Sequence, residues 1–89
     1  MKIARVTGSV TATVKDSKLS GVPLLLVDIE DGSGNVLEKS VVAANLCAAG
    51  PDDFVLLVQG SSARMPVAAS GMPVDAAIIA IVDHLNLND

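Results

Sequence analysis

The stretch ARVTGSVTATVK, residues 4–15, alternates small or apolar residues with polar residues almost without error. Ala, Val or Gly occupies every even position, and Arg, Thr, Ser or Lys occupies every odd one. Because successive side chains of a β-strand point to opposite faces, this pattern predicts a long strand with one buried face. Gly8 in its interior predicts a bulge or bend, as needed where a strand curves round a small barrel.

The sequence that follows predicts a β-hairpin. Residues 24–30, LLLVDIE, alternate with Leu25, Val27 and Ile29 on one face. The next five residues, DGSGN, are of the types that tolerate a positive φ, so they predict a turn. We expect residues 36–44 to form the returning strand.

Two further strands are predicted in the second half of the chain. The continuous apolar run FVLLV, residues 54–58, predicts a buried central strand, and the serines of GSSAR, residues 60–64, could cap a short helical turn after it. Residues 76–82 are rich in β-branched side chains and predict a fifth strand, although a short helix starting near Asp75 competes. Together these elements predict a mainly all-β fold, a small antiparallel five-stranded OB-like barrel with at most a short helix.

Length and composition predict one domain over residues 1–89 that associates with other copies of itself. Apolar residues make up 51% of the chain, Phe54 is the only aromatic residue, and the mean hydropathy is +0.56. A lone domain of this size buries only roughly 60–65% of the surface that its unfolded chain exposes. We therefore expect neighbouring subunits to cover part of the apolar surface.

The charge pattern argues against nucleic acid and membranes as partners. Ten acidic and six basic residues give a net charge of −4, and the basic residues form no cluster. Such a field repels phosphate backbones and anionic lipid surfaces, and no charge-free stretch reaches the about 18 residues of a membrane span. The N-terminal residues lack the apolar block of a signal peptide, and the single Cys47 cannot form an internal disulfide. These features predict a cytoplasmic protein.

No group of residues predicts catalysis, a metal site or a cofactor. His84, the only histidine, lies beside Asp83 near the end of the chain, and GSSA lacks the second glycine of a nucleophile elbow. Cys47 has no second cysteine and no nearby histidine with which to bind a metal. The remaining alternative is a small ligand-binding β-barrel that uses an acidic face or a central pore. The carboxylate pairs Asp28 with Glu30 and Asp52 with Asp53 are of a type that can do acid/base work or bind a hard cation, but a solvated acidic face is the default interpretation.

A series of motifs, in order, carries a family resemblance. They are ARVTGSV at residues 4–10, LSG at 19–21 with LLLV at 24–27, AG at 49–50, FVLLV at 54–58, GSSAR at 60–64 and PVDAAIIAIVD at 73–83. In this respect the chain resembles the EutN/CcmL family, the pentameric vertex proteins of bacterial microcompartment shells. The resemblance implies an OB-like barrel and a non-enzymatic homopentamer. Such a pentamer would cap the five-fold corners of a cytoplasmic shell otherwise tiled by hexameric proteins.

The resemblance also implies which residues contact the neighbouring subunit or the shell. They are the two motifs that follow the fourth strand and end the fifth: Gly60, Ser61, Ser62, Ala63, Arg64, Ile81, Val82 and Asp83. The small residues Ala48, Ala49 and Gly50 form a loop that allows close backbone approach between subunits, and Arg64 offers a bidentate donor to a neighbouring acceptor. Asn45 departs from the family pattern, which commonly has an acidic residue there, and Cys47-Ala48 replaces a more usual glycine-containing stretch.

Overall fold

In a computed structural model, residues 1–11, 21–65 and 74–85 are described, and they form five β-strands and one short 3₁₀ helix. The 3₁₀ helix spans Gly60–Arg64 and lies between the last two strands. The strands are β1 Lys2–Val10, β2 Leu24–Glu30, β3 Val36–Asn45, β4 Phe54–Gln59 and β5 Ala76–Ile81.

The strands close into a barrel in the order β1-β2-β3-β5-β4, with β4 pairing back onto β1. This confirms the predicted five-stranded OB-like barrel and the position of β4 between two neighbours. One pair differs from the antiparallel prediction, since β3 and β5 run parallel where Ala44 and Asn45 face Ala77 and Ile78. Parallel pairing is open to these strands because a long crossover, rather than a tight turn, connects them.

The bulge predicted at Gly8 is confirmed. The register between β1 and β2 shifts between Val6 and Gly8, and a Cβ atom on Gly8 would lie 3.6 Å from the side chain of Leu26. On the N-terminal side of the bulge, Ala4 and Val6 are fully buried, as the alternation predicts. The strand ends at Val10, and residues 12–15 of the predicted strand lie outside the described part of the chain.

Two aliphatic clusters hold the barrel together. The first fills the interior and contains Val27, Ile29, Val55, Leu57 and Ile78, each at most 2% exposed. The second lies on the outer side of β4 and β5, where the 3₁₀ helix covers it. Its members are Val22, Ala44, Val58, Ala63, Val74 and Ala77.

The second cluster explains why β4 reads as a continuous apolar run. Leu57 points into the barrel and Val58 into the outer cluster, so both neighbours are buried. The run is not buried throughout, however, because Phe54 and Leu56 are only half-buried. The fifth strand forms as predicted, and its pairing with β4 from Gln59 to Val55 shows that the competing short helix is wrong.

Candidate subunit interface

The 3₁₀ helix begins at a tight reversal of the chain after β4. Gly60 has a φ of +66°, a conformation that favours glycine, and its N–H donates to the Asp75 carbonyl at 2.7 Å. Ala63 is fully buried in the outer cluster, whereas Ser61 and Ser62 are exposed. The predicted serine cap is wrong, since both serines lie within the helix and no side-chain cap bond is formed.

Arg64 uses one of its N–H donors for a hydrogen bond within its own chain. Its Nη1 donates to the carbonyl of Val74 at 3.2 Å, which ties the end of the helix to the residue before Asp75 and β5. The residue is exposed overall, and a guanidinium carries five N–H donors. Its other donors make no hydrogen bond within residues 1–11, 21–65 and 74–85, where they can serve an acceptor on another molecule.

The loop of Ala48, Ala49 and Gly50 is held by the side chain of Asn45. The Asn45 Nδ2 donates to the Ala49 carbonyl at 2.9 Å, and the Ala49 N–H donates to the Asn45 Oδ1 at 3.0 Å. An ionised carboxylate at this position could accept but not donate, so the departure from an acidic residue has a structural role. Ala48 is exposed with a φ of +58°, while Ala49 is buried.

Gly50 and Cys47 complete this loop. The Gly50 N–H donates to the Asp53 carboxylate at 2.7 Å, and the Asp53 N–H donates back to the Gly50 carbonyl at 3.1 Å. Cys47 is half-buried with its Sγ 3.9 Å from the Ile78 carbonyl oxygen. Burial raises the pKa of the Cys47 thiol, which favours its neutral form.

The predicted contact residues fall into two groups at opposite ends of β4. Ile81 faces Val55 and is 44% exposed, and the Val82 N–H donates to the Phe54 carbonyl at 2.7 Å. The loop of Ala48, Ala49 and Gly50 reaches the same end through Asp53. Because a strand rises about 3.3 Å per residue, about 17 Å of β4 separates this end from Gly60.

Arg5 forms a surface cluster that the sequence did not indicate. Its Nη1 donates to the Asp52 carbonyl at 3.0 Å, its Cζ lies 4.6 Å from the centre of the Phe54 ring, and its Nε lies 3.8 Å from Glu30. The cluster fastens the loop before β4 to the outer face of β1. Alternation places Arg5 on the outer face, but its partners come from strands that only the fold brings together.

Three large apolar side chains are strongly exposed and were not predicted as contacts. Met1 and Met65 are each 79% exposed and Leu37 is 66% exposed. Met1 lies between two surface clefts, one of about 480 Å³ lined also by Met65 and Ile79, and one of about 420 Å³ lined also by Leu37 and Leu56. Exposed apolar side chains that line neighbouring clefts are typical of a protein interaction surface.

Among the described residues, the barrel interior contains no side chain suited to catalysis or to binding a metal. No polar or charged side chain is buried among the described residues, and the aliphatic cluster fills the space inside the strands. Within those residues, His, Cys, Asp and Glu form no group of three that could hold a metal ion. In the same part of the chain, the helical structure is too short to cross a membrane. The arrangement is suited to association through its surface.

Comparison with known proteins identifies relatives that are named as shell vertex proteins. The sequence profile of the family described as ethanolamine utilisation protein EutN/carboxysome matches residues 1–83. The carboxysome shell vertex protein CcmL of Nostoc sp. (strain PCC 7120) is 47% identical over 90 residues, which cover 100% of this chain and 89% of CcmL. The bacterial microcompartment shell vertex protein EutN of Salmonella typhimurium is 41% identical over 85 residues, covering 96% of this chain and 86% of EutN.

A solved structure extends the comparison to assembly. The GrpN pentameric microcompartment shell protein from Rhodospirillum rubrum superposes with a TM-score of 0.87 at 32% identity, covering 99% of this chain and 100% of GrpN. These relatives are structural shell components and not enzymes.

Proposed function

Because this chain belongs to the EutN/CcmL family of bacterial microcompartment shell vertex proteins, we propose that it assembles as a homopentamer and caps the five-fold vertices of such a shell. It acts as one domain over residues 1–89, resides in the cytoplasm as part of the shell, and contacts hexameric shell proteins there. The observation that carries the proposal is the match, over nearly the full chain, to proteins named as shell vertex proteins.

Physical features of the chain support a role in subunit assembly that involves no catalysis. Closing a flat hexagonal sheet into a polyhedron requires five-fold units but no catalytic group. The exposed side chains of Met1, Leu37 and Met65 add apolar surface that other subunits can cover. A net charge of −4 per chain opposes close approach of copies, so the contacts must be made by uncharged surface or by paired charges.

The two groups of predicted residues serve two different contacts in this proposal. The first group is the 3₁₀ helix Gly60–Arg64, where exposed serines and the remaining guanidinium donors of Arg64 face a neighbouring molecule. The second group is the opposite end of β4, where Ile81, Val82 and Asp83 lie near the loop of Ala48, Ala49 and Gly50. One group contacts the neighbouring subunit and the other contacts the hexameric shell protein.

The first test is the native mass of the purified chain. Native mass spectrometry or light scattering should give about 45 kDa, five times the chain mass of 9.0 kDa. Because Trp and Tyr are absent, the concentration should come from the refractive index. A mass of one chain would overturn the proposal, and a hexamer would move the protein from the vertices to the facets.

The second test concerns Arg64. Replacing it with Ala removes the donors, so we expect weaker assembly while the β-sheet signal in circular dichroism persists, since the residue is exposed. Arg64→Lys keeps the charge but not the fork, and Lys39→Ala on the exposed part of β3 is the matched control. An unchanged pentamer together with normal closure of shells, seen by electron microscopy with a hexameric partner, would exclude Arg64 as a contact.

A further inference from the structure

Leu37 projects from a half-open strand, at an irregularity in the pairing of β3 with β2. It is 66% exposed and its neighbour Val36 is 43% exposed, yet Val36 pairs with Glu30 and Glu38 pairs with Ile29 on β2. The strand therefore fixes the position of an apolar side chain in solvent. Among the described residues β5 pairs with β3 only further along, at Ala44 and Asn45, so the outer edge of β3 beside Leu37 has no strand neighbour there.

A cleft of about 300 Å³ lies elsewhere on the surface, and no charged side chain lines it. One wall is the end of β1 and the other wall is the loop before β4: Thr7, Gly8, Ser9, Ala49, Gly50 and Pro51. This end of β1 is also an open edge in the part of the chain that the structure describes. There β4 pairs with residues 2–5 of β1, and the loop before it bonds to Val6, whose N–H donates to the Asp53 carbonyl and whose carbonyl accepts from the Asp52 N–H. Beyond Val6, Gly8 and Ser9 pair with β2 alone.

The leucine and the cleft lie at opposite ends of β2. Val36, next to Leu37, faces Glu30 at one end, and Ser9 faces Leu25 at the other. Five residues of strand separate the two ends, which is about 17 Å. The leucine of one chain therefore does not reach the cleft of the same chain, so a Leu37 side chain in the cleft comes from another copy.

We propose that Leu37 of one copy inserts into the cleft between Gly8 and Gly50 of the next copy. This inference rests on the homopentamer proposed above. A ring requires a heterologous interface, in which two different surfaces of the same chain fit each other. An apolar side chain matches a cleft without charges, and each surface adds an open strand edge whose N–H and C=O groups can pair across the contact.

Disulfide trapping tests the contact directly. In a Cys47→Ala background, the chain carrying both Leu37→Cys and Gly50→Cys should form a covalent ladder on oxidation that ends at five chains. Gly50 accepts a side chain because a Cβ atom there would lie 3.8 Å from its nearest neighbour, the carboxylate of Asp53. Each single variant should stay uncrosslinked, and a mixture of the two should give covalent dimers only.

The matched control combines Gly50→Cys with Ser33→Cys, an exposed position in the turn between β2 and β3, and should give no ladder. Each variant is first checked by circular dichroism and native mass before oxidation. If Gly50→Cys does not fold, Thr7→Cys replaces it on the opposite wall. Independently of any disulfide, Leu37→Asp should weaken the assembly. The protein concentration below which the assembly dissociates on dilution should rise roughly tenfold or more.

The outcomes separate this contact from the proposed function. A native pentamer without a ladder would refute the contact and leave the vertex proposal standing. Covalent dimers from Leu37→Cys alone would show that two copies meet face to face, which contradicts the head-to-tail arrangement. A ladder that continues beyond five chains would support the contact but overturn the closed pentamer, and a monomeric protein would overturn both.

Discussion

Replacing Asn45 with Ala should loosen the loop proposed as a contact surface. The side chain of Asn45 donates to the Ala49 carbonyl and accepts from the Ala49 N–H, at 2.9 and 3.0 Å. These two bonds span the loop in which Ala48 adopts a φ of +58°. Alanine removes both bonds and leaves the backbone groups of Ala49, a residue that is only 7% exposed, without these partners.

The expected loss follows from the cost of leaving buried polar groups unpaired. Each such group costs about 1–3 kcal/mol, so the two groups of Ala49 together should lower the free energy of unfolding by about 2–6 kcal/mol. For a domain of this length, 1 kcal/mol corresponds to a change in melting temperature of about 4–8 °C, so Asn45→Ala should melt about 10 °C or more below the parent. Melting should be compared at one protein concentration, because assembly shifts it.

The assay pairs thermal denaturation with hydrogen exchange at the Ala49 amide. Asn35→Ala is the matched control, since it keeps the backbone N–H of residue 35 and removes only the bond from Nδ2 to Asp31, in an exposed turn where water replaces the lost bond. It should change the free energy of unfolding by about 0.5 kcal/mol or less. Asn45→Asp keeps the acceptor and loses the donor, and should fall between the parent and Asn45→Ala.

The reasoning about this loop can be refuted by the same two measurements. If Asn45→Ala melts within about 2 °C of the parent and the Ala49 amide exchanges no faster, the two hydrogen bonds do not hold the loop. If the variant melts early but its native mass is unchanged, the loop contributes to folding and is not a subunit contact.

Three further predictions concern single residues. Gly60→Ala should lower the free energy of unfolding, measured in urea, by about 1 kcal/mol. The cause is backbone strain alone, because a φ of +66° disfavours alanine while an added Cβ atom would meet nothing within 4 Å. An unchanged urea midpoint would contradict this prediction. Cys47 should react with a disulfide reagent more slowly in the folded protein than in the urea-unfolded chain, because burial raises the pKa of its thiol. The contribution of this neutral thiol to stability is lost as the pH rises through the range in which thiols ionise. Equal rates would refute this. In a carbon NMR titration the pKa of Asp31 should lie below that of an ordinary aspartate, because Asn35 and Ser33 donate hydrogen bonds to its carboxylate. Any stability that the ionised carboxylate contributes is lost as the pH falls through that lowered pKa. Asn35→Ala should raise this pKa, and a value unaffected by the substitution would exclude the side chain of Asn35 as the cause.

Local pattern predicted the strands well because alternation and turn chemistry act between near neighbours. The bounds of β2 are those predicted, Leu25, Val27 and Ile29 are its buried side chains, and the bulge at Gly8 lies where the glycine indicated. The turn between β2 and β3 follows from Asp31, whose carboxylate accepts two backbone N–H groups of the residues just after it. The turn contacts span four residues or fewer, and the alternation and the glycine that predicted the strand faces and the bulge lie within single strands.

The candidate contact surfaces could be predicted only in part. The resemblance pointed to Arg64, but its bond to Val74 depends on how the chain returns ten residues later to start β5. The role of Asn45 was invisible because an amide at the end of a strand predicts no particular partner. The cluster of Arg5 with Phe54 joins residues that are far apart in the chain, and no periodicity relates them.

The sequence by itself determined which segments become strands, since that choice depends on alternation within each segment. Alternation also predicted the buried side chains of β1 and β2, but only the tertiary structure decided the burial of apolar residues such as Leu37. Val27 and Leu37 both stand in predicted strands of the same hairpin, yet Val27 is 0% exposed and Leu37 is 66% exposed. The difference arises because burial depends on which distant strands close over each position. The barrel closes over β2, while β5 reaches only the far end of β3 and leaves Leu37 in solvent.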